Sequence, residues 1–237
     1  MEIPTRARLE PATGRIVLPL DAVLPNEREQ TLLLNAQDIV LEKCMSEEGH
    51  TFPALERKYT PAPSRRYGVW TMRQARTDGY SIPDDVSDSG KAANSAKFSD
   101  EASQVLRECT TSQEFRSVQP DGVGPVQQDE AAIFDEAFSS PRVQRAFSKW
   151  KNCMQDKGYT VGATEHPLTP TGHVDKRSIE VATTDVQCKN KTQFVQTISA
   201  VEANLQSRYM KQHRGDLEQI SAGVDTSVAT AKRITGR

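Results

Sequence analysis

The segment CMQDKGYT at residues 153–160 decides how this chain is organised, because residues 44–51, CMSEEGHT, repeat it. Both copies contain Cys-Met, three variable residues, Gly, a ring-bearing residue and Thr. Glycine readily adopts the left-handed backbone conformation found just beyond a helix C-terminus. The repeat therefore predicts two helices that end in the same way and carry a cysteine in the last turns.

Each copy places methionine four residues before the glycine and a ring directly after the glycine. A Schellman cap brings these two positions into contact, so that they cover the helix end with apolar surface. The predicted capping residues are Met45, Gly49, His50, Met154, Gly158 and Tyr159. We interpret the motif as a helix terminator and not as an active-site signature.

The four cysteines predict two disulfides and an oxidising compartment. Cys153 lies near the end of one predicted helix and Cys188 near the start of the next, so antiparallel packing would bring the two thiols level. The same reasoning pairs Cys44 with Cys109. Four cysteines allow three connectivities, and this local pairing is the favoured one. We expect excess reductant to lower the melting temperature sharply.

The composition is typical of a helix-rich globular protein, with 36% hydrophobic and 26% charged residues. A formal net charge of -2 does not favour nucleic-acid binding, which calls for a basic surface. The chain has no apolar run of the roughly 18 residues that a transmembrane helix needs. It starts with MEIPTR and without a signal peptide, so it is either cytosolic or a mature form without its leader. The cysteines favour the mature form.

The hydrophobic pattern predicts an all-α fold over residues 1–237, in which helical hairpins or a bundle are clipped by the disulfides. Residues 1–24 lack a helical period and are predicted to form an extended arm that straps over the helices; a displaceable arm is the alternative. A capping box at Asn26 predicts a helix over Glu27–Glu48. A short helix is expected over Val69–Asp78, with Gly79 as a third terminator of the same kind.

The rest of the chain alternates between polar loops and periodic segments. Residues 82–100 and 117–128 are predicted to be flexible loops, because they are rich in small, polar, Gly and Pro residues. Between these loops, the periodic apolar residues Ala102, Val105, Leu106 and Cys109 predict one helix. Further helices are expected from Asp129 or Glu130, from Pro141 to Lys157, and over 178–235. The last is predicted to be one long helix, with a bend at Gly215 or Gly223.

Three alternatives involve chemistry at these residues. The Cys-Met pairs with His50 could bind Cu(I) through soft ligands. A cysteine nucleophile would need a base, for which the candidates are His50, His166, His173 and His213. A small ligand could be captured between helices in an apolar cavity beside Trp70 or Trp150. No pattern assigns catalytic, metal or cofactor-binding residues, so no cofactor is expected.

Several short segments resemble uncharacterised secreted proteins and predicted lipoproteins of actinobacteria such as streptomycetes. These segments are LPLD at 18–21, CM at 44–45, RRYG at 65–68, PRV at 141–143, WKNCM at 150–154, GY at 158–159, VATTDVQCK at 181–189 and AVEA at 200–203. The resemblance covers most of the chain outside 82–130. It implies a location outside the cell or on the outer face of the cytoplasmic membrane, and a lipidated cysteine that this chain does not carry.

We therefore expect a non-catalytic binding or accessory protein of the cell envelope that engages another envelope or secreted protein. Binding of a small ligand or a metal is the alternative function. An enzyme is the less favoured alternative, because it would need polar groups that converge in a pocket.

Overall fold

The computed structural model describes residues 1–81, 98–161 and 174–236, and helices dominate these ranges. Nine α-helices are found there: α1 (Glu27–Glu47), α2 (Met72–Thr77), α3 (Asp100–Thr111), α4 (Gln113–Arg116), α5 (Val123–Ser139), α6 (Pro141–Asp156), α7 (Lys176–Thr192), α8 (Phe194–Gln212) and α9 (Arg214–Thr235). The strands β1 (Arg8–Glu10) and β2 (Arg15–Val17) and a 3-10 helix (Pro19–Ala22) precede them. The predicted all-α fold class is confirmed.

The N-terminal arm contains extended backbone in two short strands, as predicted, but it folds back on itself and includes a 3-10 helix, so it is not one extended segment over residues 1–24. Strands β1 and β2 form an antiparallel hairpin with Leu9 opposite Ile16. Gly14 closes the hairpin with a φ of 77°, and a Cβ there would lie 2.5 Å from a side-chain carbon of Pro63. The arm does pack over the helices, because the Leu20 amide donates to Oε1 of Gln206 in α8 at 3.0 Å.

The predicted helix start at Asn26 is confirmed, because its side chain caps the first turn of α1. Oδ1 of Asn26 accepts from the Arg28 and Glu29 amides at 3.1 Å. The Glu29 carboxylate accepts in return from the Asn26 amide at 2.9 Å, which completes the capping box. Helix α2 begins at Met72, three residues later than predicted, because Thr71 is its N-cap.

Helix α5 begins at Val123, so the prediction of a connector over 117–128 and of a helix start at Asp129 or Glu130 is wrong. Gly122 precedes the helix with a φ of 80°. Pro125 lies in the first turn, where its missing N–H breaks no helical hydrogen bond. Proline therefore marked the start of a helix and not a loop. Most of the predicted loop at 82–100 lies outside the described residues, and α3 begins at Asp100 with Ser99 as its N-cap.

The C-terminal region forms α7, α8 and α9, which corrects the single helix predicted over 178–235. The first interruption is at Gln193, which adopts the left-handed conformation with φ 53°. The second is at His213, two residues before Gly215, and i to i−4 backbone hydrogen bonds lie on both sides of it. Gly223 lies inside α9 and causes no interruption.

Two groups of helices each surround one disulfide and one apolar core. The Cys44 half consists of α1, α3, α4 and α9 around the mainly aliphatic cluster that contains Leu33, Val40 and Met45. The Cys153 half consists of α2, α5, α6, α7 and α8, and its core is rich in aromatic rings. A smaller cluster, in which Leu20 of the arm packs with Met210 and Leu217, joins the arm to α8 and α9.

Candidate functional site

Both predicted disulfides are present, and they use all four cysteines. Cys44–Cys109 joins α1 to α3 with a Cα–Cα distance of 5.9 Å. Cys153–Cys188 joins α6 to α7 with a Cα–Cα distance of 5.7 Å. No cysteine is free, so the chain offers neither a thiolate ligand for copper nor a cysteine nucleophile.

The capping residues form the predicted Schellman geometry in both copies of the repeat. In the first copy, the His50 amide donates to the Met45 carbonyl at 2.8 Å, and the Gly49 amide donates to the Ser46 carbonyl at 3.1 Å. The second copy forms the same two bonds at 3.1 and 2.8 Å. Both glycines have a left-handed φ, and both methionines are fully buried. The repeat therefore has a structural role.

The other candidate residues are also in structural positions where they are described. Trp150 is fully buried between the rings of Phe147 and Phe194, with centroids at 5.4 and 5.9 Å. Nε1 of Trp70 donates to the Gly14 carbonyl at 3.1 Å. The His213 ring stacks on Tyr209 with centroids 4.4 Å apart. His166 and His173 lie outside the described residues.

A cleft of about 760 Å³ is the strongest candidate for a functional site. It is lined by the N-terminal arm through the start of α1, by Tyr59, Ser64 and Arg66, and by part of α5. Its volume is within the roughly 300–1,000 Å³ range that is typical of ligand sites. The cleft thus combines three separate parts of the sequence, residues 4–30, 59–66 and 127–130.

Arginine is the most prominent residue type in the cleft. Arg6, Arg8, Arg15, Arg28 and Arg66 all line it. Arg8 pairs with Glu10 at 2.9 Å, and Arg66 is held by two carboxylates. The other three side chains are exposed, and within the described ranges their guanidinium groups have no ion-pair or hydrogen-bond partner.

A buried charge network around Arg66 supports the cleft. Nη1 of Arg66 pairs with Glu130 at 2.9 Å, and its Nε donates to the fully buried Glu202 at 2.8 Å. The Tyr67 hydroxyl donates to Glu202 at 2.6 Å, and Gln206 donates to the same carboxylate at 3.1 Å. Burial opposes the charge on Arg66, but the hydrogen bond and charge of Glu202 raise its pKa. This guanidinium is therefore a fixed positive element of the site.

Three acids line the cleft, Asp21, Glu27 and Glu130, and the first and last of them have partners in the structure. Oδ2 of Asp21 accepts from the Leu18 amide at 2.8 Å. Glu130 is paired with Arg66, and burial raises the pKa of its carboxyl despite that partner. Asp21 and Glu130 thus have structural partners, whereas Glu27 is exposed at the start of α1.

Successive side chains of a strand point to opposite faces, and this alternation brings the arginines of the first strand segment to the cleft. Arg6 and Arg8 line the cleft, whereas Thr5, Ala7 and Leu9 line a smaller slot of about 300 Å³ against α8. Arg6 borders both spaces. The tip of the hairpin is fixed to the body, because the Ser64 amide donates to the Gly14 carbonyl at 2.8 Å.

Sequence reasoning did not identify these arginines as a site. The available signal was the alternation TRARL at residues 5–9, followed by a turn and by Arg15. Alternation of this kind predicts a half-buried strand with one charged face. The contribution of Arg28 and Arg66 had no comparable signal, because it depends on how α1 and the segment before α2 pack against the hairpin.

The described part of the chain contains no cluster of three or more His, Cys, Asp or Glu residues that could hold a metal ion. Within the same ranges, no helix is long and apolar enough to cross a membrane. No protein-family model, curated protein or solved structure matches this chain. The geometry of the arginine-lined cleft is therefore the basis on which a function can be proposed.

Proposed function

We propose that this chain is a non-catalytic binding protein of the cell envelope or extracellular space, and that the arginine-lined cleft receives a protein partner. The observation that carries the proposal is a wide cleft with exposed guanidinium groups that have no partner within the described residues. Such groups can donate hydrogen bonds to the anionic groups of a partner. Two disulfides support the proposed location, because disulfides persist mainly in oxidising compartments.

The scaffold around the cleft also suits binding. The hairpin is attached at its tip to Ser64 and Trp70, and at its start Ser207 donates to the Pro4 carbonyl at 2.6 Å. A site whose walls are held at both ends loses little conformational entropy when a partner binds. This anchoring favours a preformed surface over an arm that must be displaced.

Site-specific photocrosslinking tests the proposed partner. A benzophenone amino acid in place of Tyr59, which lies in the cleft, should capture a specific protein from envelope extracts of the source organism. The same group in place of the exposed Lys149 on α6 should not capture that protein. Equal capture at both positions, or at neither, would contradict the proposal.

The location has its own test. We expect alkylation of intact source cells before and after reduction to show four oxidised cysteines. The native N-terminus should reveal a secretion or lipoprotein leader. A chain with four reduced cysteines in its native compartment would contradict the extracytoplasmic assignment.

A small anionic ligand is the second candidate, and the volume of the cleft favours it. Millimolar inorganic phosphate or citrate would then raise the melting temperature of the protein but not that of an Arg15→Gln/Arg28→Gln variant. The absence of such a shift, together with capture at Tyr59, would leave the protein partner as the function.

A further inference from the structure

We infer that the occupant of the cleft is an extended, acidic segment of the partner protein, whose carboxylates are bound by Arg6, Arg15 and Arg28. This inference rests on the proposed function and specifies the chemistry of the partner. It follows from the distribution of paired and unpaired charges, the number of arginines that line the cleft, and the composition of the walls.

The charges of the cleft divide into two groups. Arg66 is neutralised by Glu130 and Glu202, so it supports the site without attracting a further anion. Arg6, Arg15 and Arg28 form no ion pair within the described ranges, although Arg15 is close enough to Asp21 to favour the charged form of that carboxyl. The guanidinium of Arg28 lies 5.5 Å from the centre of the Tyr59 ring, which orients it without satisfying its N–H donors. The unsatisfied donors are therefore on these three side chains.

The three arginines come from three different segments, which are the arm before β1, strand β2 and the first turn of α1. One small oxyanion can form a bidentate pair with only one or two guanidinium groups. An extended chain presents side chains at intervals of about 6.6 Å on each face, so several carboxylates can reach separate arginines. Three guanidinium groups without an ion pair on one cleft therefore favour an occupant that carries several carboxylates over a single small anion.

The walls favour a peptide over a phosphate polymer. Asp21 and Glu27 also line the cleft, and they would repel a polymer that carries a charge on every unit. Ile16, Leu24 and Tyr59 contribute apolar surface to the same cleft. A peptide can place carboxylates opposite the arginines, and apolar or uncharged residues opposite the remaining walls.

Fluorescence anisotropy with a defined probe tests this inference. The probe is a labelled peptide of about ten residues in which glutamate alternates with serine or leucine, which spans roughly 33 Å when extended. We expect saturable binding that weakens as salt is raised. The Arg15→Gln/Arg28→Gln variant should bind at least about tenfold more weakly, since two charge-assisted contacts are lost.

The matched control is Arg107→Gln/Arg142→Gln, which removes two exposed arginines outside the cleft and should leave the affinity unchanged. Melting curves of both variants establish that they fold. The inference is overturned if the peptide with glutamine in place of glutamate binds equally well, or if both variants weaken binding to the same extent. It is also overturned if linear polyphosphate of equal charge displaces the peptide at lower concentration.

The two proposals fail in different ways. If crosslinking at Tyr59 captures a partner that Arg15→Gln/Arg28→Gln still binds at full strength, the acidic segment is wrong and the protein-binding function stands. If crosslinking captures no partner and the glutamate peptide does not bind, both proposals are wrong.

Discussion

In both halves of the molecule, a side chain from a helix holds an irregular segment through hydrogen bonds to its backbone. The Cys44 half uses the neutral amide of an asparagine, and the Cys153 half uses the charged ammonium of a lysine. In the Cys44 half, Asn35 of α1 accepts from the Arg57 amide and donates to the Arg57 carbonyl, both at 2.8 Å. In the Cys153 half, the ammonium of Lys189 in α7 donates to the carbonyls of Tyr67 and Val69 at 3.0 and 2.8 Å.

The difference lies in the charge that is buried. Lys189 and its partner Asp185 are both fully buried, 3.0 Å apart. Asp185 also accepts from Nε1 of Trp150 at 2.8 Å and from the Tyr80 hydroxyl at 3.0 Å. In the Cys44 half Asn35 is neutral, and the ion pair beside it, Asp38 with Arg57 at 2.7 Å, leaves 10% of each side chain exposed, so charge is buried less completely there. Loss of Lys189 should therefore cost more than loss of Asn35, because only Lys189 leaves a fully buried charge without its partner.

The disulfides should show the largest effects, and these should be similar in the two halves. The Cys44→Ala/Cys109→Ala and Cys153→Ala/Cys188→Ala variants should each lose roughly 4 kcal/mol of unfolding free energy in the chain-entropy model. The sequence separations of 65 and 35 residues enter only as logarithms. Urea denaturation measures the two losses, and excess reductant should add nothing further to a variant that lacks both bridges. An unchanged midpoint for either variant would contradict a stabilising role.

Substitution of Lys189 and of Asn35 should show the clearest difference in stability loss between the two halves. We expect Lys189→Met to cost about 3–5 kcal/mol, because Asp185 would be left as an unpaired buried charge. Asn35→Ala, the counterpart in the Cys44 half, should cost about 1–3 kcal/mol. The control is Lys191→Met, the same substitution at an exposed position of α7. Equal losses for Lys189→Met and Asn35→Ala in urea denaturation would refute the comparison.

Alkaline pH should lower the unfolding free energy through two buried tyrosines of the Cys153 half. Burial, together with Glu202, raises the pKa of Tyr67, and burial with Asp185 raises the pKa of Tyr80. Below pH 10 both phenols are neutral in the folded and the unfolded chain. Above it the unfolded chain loses these protons first, so stability should fall by up to about 1.4 kcal/mol per pH unit for each tyrosine.

Tyrosinate absorbance follows this transition directly. In the folded protein, Tyr67 and Tyr80 should stay protonated until the chain unfolds, and their signal should appear together with the loss of helical circular dichroism. A Tyr80→Phe variant should lose stability less steeply with rising pH. Full ionisation of all five tyrosines before any unfolding would contradict this expectation.

Substitution of the glycine that follows α1 or α6 should cost the same stability in both halves, because the two helices end with the same geometry. A Cβ at Gly49 or Gly158 would meet no atom within 4 Å, so substitution by alanine has only a backbone cost. We expect Gly49→Ala and Gly158→Ala each to cost roughly 1–2 kcal/mol, because both glycines are left-handed. Gly223→Ala, inside α9 and equally open, should instead stabilise by about 0.5–1 kcal/mol. If thermal melts gave the same sign for all three changes, the left-handed role of Gly49 and Gly158 would be wrong.

The smallest expected effect is a gain at Gln193, where the Cys153 half places a non-glycine residue in the left-handed conformation. Gln193→Gly should raise stability by up to about 1 kcal/mol, because the side chain is exposed and only backbone strain is relieved. Gln187→Gly, an exposed position within α7, should instead destabilise by about 1 kcal/mol. A loss at Gln193 in thermal melts would show that its side chain contributes to the turn.

Local signals predicted the ends of several helices. Asn26 with Glu29, and Ser140 before Pro141, start their helices as expected, because capping groups satisfy amides within the same turn. The Gly-ring pairs end α1 and α6 through equally local bonds, because their amides donate to the last carbonyls of the helix. Prediction failed at Pro125, whose residue type suits both a loop and a first turn, and at Gln193, whose type gives no signal for a left-handed backbone.

The sequence by itself therefore determined the helical class, the Schellman ends and the favoured cysteine pairing, since each depends on spacing along one or two neighbouring helices. Only the tertiary structure decided the cleft and the buried charges. Arg66 and Glu202 are 136 residues apart, and Lys189 is 120 residues from the Val69 carbonyl. Whether a charge is paired or free depends on which distant segments pack together, and spacing in the sequence does not record that.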